Sequence, residues 1–270
     1  MSKESQSNSQ KLAVLIDADN AIADVIEPLL KEVAKYGTAH VKRIYGDWTN
    51  PNLNRWKSKL IDFAIQPIQQ FSYTSGKNST DSALIIDAMD LLYTQRIDGF
   101  CIVSSDSDFT RLVSRIRESG LLVYGFGEKK TPPSLISACD KFVYIEILGR
   151  SEDSTPIYAL KDASDAKSEG VLKDATGITT LAIDTQKLKD KKELASLLED
   201  AYETVAEEDG WANLGPFGAQ LTKLSPSFDQ RNYGYKKLGD LIRATDLFEL
   251  KEVPHDKNPA VKWIYIKFKS

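Results

Sequence analysis

Apolar residues follow two rhythms over the first 148 positions. Short apolar runs, Leu12–Ile16 and Gly99–Val103 among them, stop abruptly at polar loops, as buried strands do. Longer stretches carry apolar residues three or four apart. Ala21–Tyr36, with Ile22, Val25, Ile26, Leu29, Leu30 and Val33, predicts a helix that Gly37 ends. The same two patterns predict strands over Ala39–Tyr45, Ala64–Gln70, Leu121–Phe126 and Lys141–Ile147. They predict helices over Leu53–Phe63, Ser82–Tyr93, Phe109–Ser119 and Ser134–Cys139. Pro67 lacks the N–H a central strand must donate, so its strand belongs at or near a sheet edge. Asp108 or Ser107 is expected to cap the helix at 109. Strand and helix in alternation predict the α/β class, a mostly parallel sheet with helices on both faces.

The rest of the chain reads differently. Residues 1–10 are polar and predict a disordered tail, leaving 11–148 as the first domain. Residues 149–191 are dominated by Ser, Asp, Lys and Ala and read as a flexible linker, with a small apolar island at Thr179–Ile183. A second compact unit spans 192–270. It opens on an amphipathic helix carrying Leu194, Leu197, Leu198, Ala201 and Val205, continues to a helix over Lys237–Ala244, and closes on an apolar strand, Lys262–Phe268. Helices followed by a strand or hairpin outline a small winged helix.

Composition narrows the classes. At 41% hydrophobic the chain can bury a core, and a net charge of -4 with pI near 5.4 argues against a protein that coats DNA through bulk positive charge. Cys101 and Cys139 lie in apolar segments and read as reduced core residues. With two cysteines and two histidines, a structural zinc site is not expected. The N-terminus has no apolar signal region, and no run of about 18 apolar residues suggests a membrane span. A cytoplasmic protein is expected.

Chemistry concentrates where the two strongest strands end. Leu12–Ile16 runs into Asp17, Ala18, Asp19, Asn20, and Gly99–Val103 into Ser104, Ser105, Asp106, Ser107, Asp108. In parallel sheets ligands collect at the carboxyl ends of strands. Asp81, at the mouth of a helix, can face the same cleft. A single Asp in such a place is usually a cap or turn former. Several at one sheet edge call for a cation, and Mg²⁺ or Mn²⁺ suits an all-oxygen site with no histidine. Asp19, two residues past Asp17, is a weaker candidate that either points away or caps the first helix. Asp87 follows Asp81 by six residues, roughly 600° of helical rotation, so it and Asp90 read as supporting or solvent groups. Asn20, Thr80, Ser104 and Ser105 either orient a ligand or satisfy backbone groups. Lys77 either meets a phosphate or is simply exposed; its loop lacks the spacing of a Walker A motif.

Three stretches, LIDADN at 15–20, GKNSTDSALIIDAMDLL at 76–92 and IVSSDSDFTRLV at 102–113, resemble the NYN domains of the PIN-like nuclease superfamily, some of whose bacterial members are LabA-like. The resemblance implies a Rossmannoid sheet and a metal-dependent ribonuclease. Residue by residue, it implies Asp17, Asp81, Asp106 and Asp108 as the catalytic, metal-binding acids, with Asn20, Ser104 and Thr80 as supporting polar groups. The unit from about 192 resembles the OST-HTH or LOTUS winged helix, through DGWANLGPFGAQL at 209–221 and NYGYKKLGDLIRA at 232–244. That resemblance implies RNA binding or a protein contact. Lys236 and Lys237, with Lys223, Arg231 and Arg243, are candidates to meet phosphate, and Tyr233 and Tyr235 to stack on bases; the other reading is a solvated basic face over core aromatics. The competing functions are a catalytically inactive RNA- or protein-binding regulator of the same fold, and a haloacid dehalogenase-type phosphatase using Asp17 and Asp19. The phosphatase wants a lysine between its Ser/Thr strand and its late acids, and Ser104 and Asp106 leave no room for one.

Overall fold

The structure, a computed structural model, describes residues 9–71, 79–94, 96–149, 177–255 and 258–269; of 79, 177–190, 255 and 258–261 it describes the backbone alone. The chain divides into two compact units, Met1–Ser151 and Glu152–Ser270.

In the first unit strands and helices alternate: β1 (Lys11–Asp17), α1 (Ile26–Val33), β2 (Thr38–Gly46), α2 (Trp56–Asp62), β3 (Gln66–Gln69), α3 (Ser79–Thr94), β4 (Gly99–Val103), α4 (Thr110–Glu118), β5 (Leu122–Gly127), α5 (Pro133–Ala138) and β6 (Lys141–Tyr144). All six strands are parallel, in the order β3-β2-β1-β4-β5-β6. Chain direction across the sheet reverses between β1 and β4, and doubly wound sheets form their crevice at that point. The edge place of β3 is the one its Pro67 requires.

Side chains along a strand alternate between faces, and that alternation divides the core. Leu12, Val14 and Ile16 of β1, with Cys101 and Val103 of β4, pack against α1 and α2 through Ile26, Leu29, Val33 and Trp56. Ala13 and Leu15, with Phe100 and Ile102, pack on the other side against Leu84 and Ala88 of α3, Leu112 and Ile116 of α4, and Leu135 of α5. Each fully buried aliphatic chain contributes about 1.5–3 kcal/mol. The next positions on the α3–α4 side are Asp17 and Ser104. The parity that builds the core therefore carries both polar groups to one face.

Several element ends differ from the sequence pattern. The helix expected over Ala21–Tyr36 is α1 alone, preceded by a short turn at Ala23–Val25; Pro28 falls in its first turn, where a missing N–H is tolerated. The strand expected over Lys141–Ile147 stops at Tyr144 and turns at Ile145–Ile147. Helix α3 starts at Ser79, so Asp81 lies in its first turn rather than before it. Asp87 is neither a solvent group nor part of the acidic edge. It accepts hydrogen bonds from Arg43 and Tyr45 of β2 and so pins α3 to the sheet. Removing that acceptor strands two donors, the fully buried Tyr45 and the partly buried Arg43. Asp87→Ala is expected to cost about 2 kcal/mol of stability, read as a lowered urea midpoint; an unchanged midpoint would show the clamp to be idle.

The second unit consists of α6 (Gly177–Val205), β7 (Ala212–Asn213), α7 (Leu214–Leu224), α8 (Leu238–Thr245), β8 (Phe248–His255) and β9 (Asn258–Phe268). Helix α6 begins inside the stretch read as linker. The strands form an antiparallel sheet in the order β7-β9-β8. Leu194, Leu198, Phe217, Leu221, Leu241, Phe248 and Ile266 close its core. Helices packed against a terminal hairpin are the expected winged helix. Among the described residues no helix is long and apolar enough to cross a membrane.

Candidate metal centre

Asp17 ends β1 and is fully buried. Three donors hold its carboxylate: the Asp19 backbone N–H at 3.0 Å on Oδ1, and Asn20 Nδ2 and the Ser104 hydroxyl, both at 2.8 Å, on Oδ2. Ser104 continues β4 one position past the Ile16–Val103 pairing, which sets it beside Asp17. Its Oγ also accepts the Asp106 N–H at 3.1 Å, so one hydroxyl joins the two acidic loops. On the other side of Ser104, Gly127 lets β5 lie close, because a Cβ there would be 2.7 Å from the Ser104 carbonyl oxygen. Burial pushes the Asp17 carboxyl above its ordinary pKa, and the hydrogen bonds from Asn20, Ser104 and Asp19 oppose that push.

Asp81, Asp106 and Asp108 form a second layer. Each offers a carboxylate oxygen, and the three oxygens lie within 4.8 Å of one another. Asp81 and Asp106 are partly buried and Asp108 is exposed. Asp106 has the extended backbone of an N-cap, and its Oδ1 accepts the Asp108 N–H at 2.9 Å, which starts the turn Ser107–Phe109 leading into α4. The cap is therefore Asp106, not Asp108 or Ser107. Burial, with Asp17, Asp106 and Asp108 close by, pushes the Asp81 carboxyl up to about 6. Asp17 lies outside the three-oxygen group, yet after burial its charge is the largest influence raising the Asp81 carboxyl. Oxygen donors alone, several of them anionic, are the set that Mg²⁺ and Mn²⁺ prefer. These residues fit such an ion.

Among the supporting residues, Asn20 and Ser104 both hold Asp17, and Thr80 is buried at the start of α3. Ser105 points elsewhere and accepts the Glu128 N–H at 2.9 Å. Asp19 is exposed and caps nothing: the turn before α1 and α1 itself have no side-chain cap. Lys77 lies outside the described residues. Sequence reasoning missed the clamp formed by Arg43, Tyr45 and Asp87 that fixes the helix carrying Asp81. The alternation of Arg43 and Tyr45 along β2 was its available signal.

In the second unit Lys236 and Lys237 are exposed just before α8. Tyr233 and Tyr235 are half-buried and pack against the core, Tyr233 with its ring centroid 6.2 Å from that of Phe228. Arg231 pairs with buried Asp229 at 2.6 Å, and Arg243 with Asp240 and Glu252.

The NYN domain model matches residues 11–146, and the OST-HTH/LOTUS domain model matches residues 186–259. No curated protein matches the chain. Similar solved structures include the following two. A protein of unknown function from Vibrio parahaemolyticus shares 20% identity with a TM-score of 0.45, over 53% of this chain and 96% of that one. An uncharacterized protein from Nitrosomonas europaea shares 34% identity with a TM-score of 0.25, over 45% of this chain and 93% of that one.

Proposed function

We propose, because the chain belongs to the NYN domain family and carries an OST-HTH/LOTUS domain behind it, that it is a divalent-metal-dependent ribonuclease with its own RNA-binding module. NYN domains are a PIN-like nuclease family, and OST-HTH/LOTUS domains point to RNA binding. The observation that carries the proposal is the group of Asp81, Asp106 and Asp108 oxygens within 4.8 Å, beside buried Asp17. Those four acids would hold Mg²⁺ or Mn²⁺. When bound, the ion supplies activation of a water and relief of the repulsion between acids and RNA phosphate.

The chain's own groups do the positioning. Ser104 and Asn20 keep the Asp17 carboxylate in one orientation, and the Asp106 N–H on Ser104 ties the second acidic loop to the first. Thr80 supports the start of the helix that brings in Asp81. In the second unit exposed Lys236 and Lys237 meet backbone phosphate; Lys77 is a further phosphate contact. Joining both domains on one chain raises the local concentration of captured RNA at the acidic site. The setting is the cytoplasm, where buried Cys101 and Cys139 stay reduced.

The test is cleavage of single-stranded RNA by the purified chain with Mn²⁺ or Mg²⁺, stopped by EDTA. A preparation that degrades no RNA with either ion overturns the proposal. Binding itself has a separate readout. Excess Mn²⁺ at about a hundred times its Kd is expected to stabilise the first unit by about 2.7 kcal/mol, visible as a raised Tm. Asp106→Asn should lose most of that gain, and an equal gain in both proteins would place the ion elsewhere.

A further inference from the structure

The sheet of the second unit has two unlike faces. Residues paired directly across antiparallel strands share a face. Phe248 with Phe268 and Leu250 with Ile266 turn into the core. The pairs that alternate with these, Glu249 with Lys267, Lys251 with Tyr265 and Val253 with Trp263, therefore turn outward. Trp263 is 43% exposed, and Tyr265 is half-buried. Trp211, one residue before β7, joins this outer face. The ammonium groups of Lys251 and Lys267 lie 5.7 and 6.0 Å from its ring centroid. Lys267 Nζ also donates to the Asp209 carbonyl at 3.2 Å. Trp211 thus fixes two lysines beside two outward aromatic rings, and Glu249 is the acid among them.

Aromatic rings interleaved with held cations match one ligand chemistry closely. Unpaired bases offer π-faces to stack on rings while the backbone between them carries charge for ammonium groups. A duplex hides those faces and is recognised by other means. We propose that this outer sheet face binds single-stranded RNA, with bases stacked on Trp263 and Tyr265 and phosphates met by Lys251 and Lys267, which Trp211 holds in place. The proposal deepens the ribonuclease reading by giving the tethered module a specific surface, and it rests on that reading for the choice of RNA.

The test uses the full chain in EDTA, where no cleavage can occur, and follows the anisotropy of a fluorescein-labelled oligouridylate. A chain that fails to cut RNA with Mn²⁺ can therefore still bind here, and the two readings fail separately. Trp263→Ala is expected to weaken binding about tenfold, and Trp263→Phe, which keeps a ring, to remain near wild type. Lys251→Glu with Lys267→Glu should weaken it further and flatten its salt dependence. An abasic ribose-phosphate strand of equal length should bind wild type and Trp263→Ala alike. The proposal is overturned if Trp263→Ala binds oligouridylate as wild type does, if the abasic strand binds wild type as tightly as oligouridylate, or if the full chain binds no RNA, which would leave this face to a protein partner. Matched thermal melting of the variants keeps a folding defect from imitating the expected result.

Discussion

Asp106→Asn is expected to reduce Mn²⁺-supported RNA cleavage by more than about a hundredfold, beyond what losing an outer-shell partner of a metal costs, while the protein stays folded. Asp106 has two separable roles. Its Oδ1 caps the turn before α4 by accepting the Asp108 N–H, and its charge belongs to the group shared with Asp81 and Asp108. Asparagine caps helices as well as aspartate does, so the turn survives while the charge is lost. Melting temperature should therefore hold nearly constant as the cleavage rate collapses. Cleavage near the wild-type rate would remove this acid from the chemistry.

A second large effect is expected with pH. Asp81 is held protonated up to about 6, and an ion must displace that proton to bind. Mn²⁺ affinity should weaken about tenfold between about pH 7 and about pH 5 as the site refills with protons. Without the ion, stability depends on pH in the opposite direction to metal affinity. The unfolded chain releases this proton near 3.8 and the folded chain near 6, so the folded state binds more protons across that window. Stability contributed by the protonated group is complete below 3.8 and is lost as pH rises through about 6. Asp17, also raised by burial, adds in the same direction. Other carboxylates titrate in this range, so the measurement is a difference. The metal-free wild type minus Asp81→Asn should lose stability from about pH 4 to about pH 6.5, and Asp81→Asn should bind Mn²⁺ weakly at every pH. A wild type that gains stability relative to Asp81→Asn over this range would contradict the electrostatics of the cluster.

Much of this architecture is legible in the residues because strand periodicity is strict. Leu12–Ile16 and Gly99–Val103 announce neighbouring buried strands, and counting in twos along them carries Asp17 and Ser104 to one face, where they bond at 2.8 Å. Pro67 marks the edge strand through the donor it lacks. Other features resist such counting. Asp106 and Asp108 are two residues apart, and only backbone geometry decides that the first caps the turn while both join the cluster. Asp87 reads only as a supporting or solvent group, because its partners, Arg43 and Tyr45, lie on another element far back in the chain. Tyr233 and Tyr235 read by type either as base-stacking residues or as core aromatics, and only the whole second unit packs both against the core, Tyr233 beside Phe228. The outward Trp263 and Tyr265 become visible only once the pairing of β8 and β9 fixes which positions turn away from the core.

The most direct measurement is anomalous diffraction at the manganese edge from crystals soaked in Mn²⁺. The expected result is a peak among the carboxylates of Asp81, Asp106 and Asp108, on the side facing Asp17, that vanishes in Asp106→Asn crystals. A saturating soak with no peak there, or with its peak on a different surface, would contradict a metal-dependent site at this sheet edge.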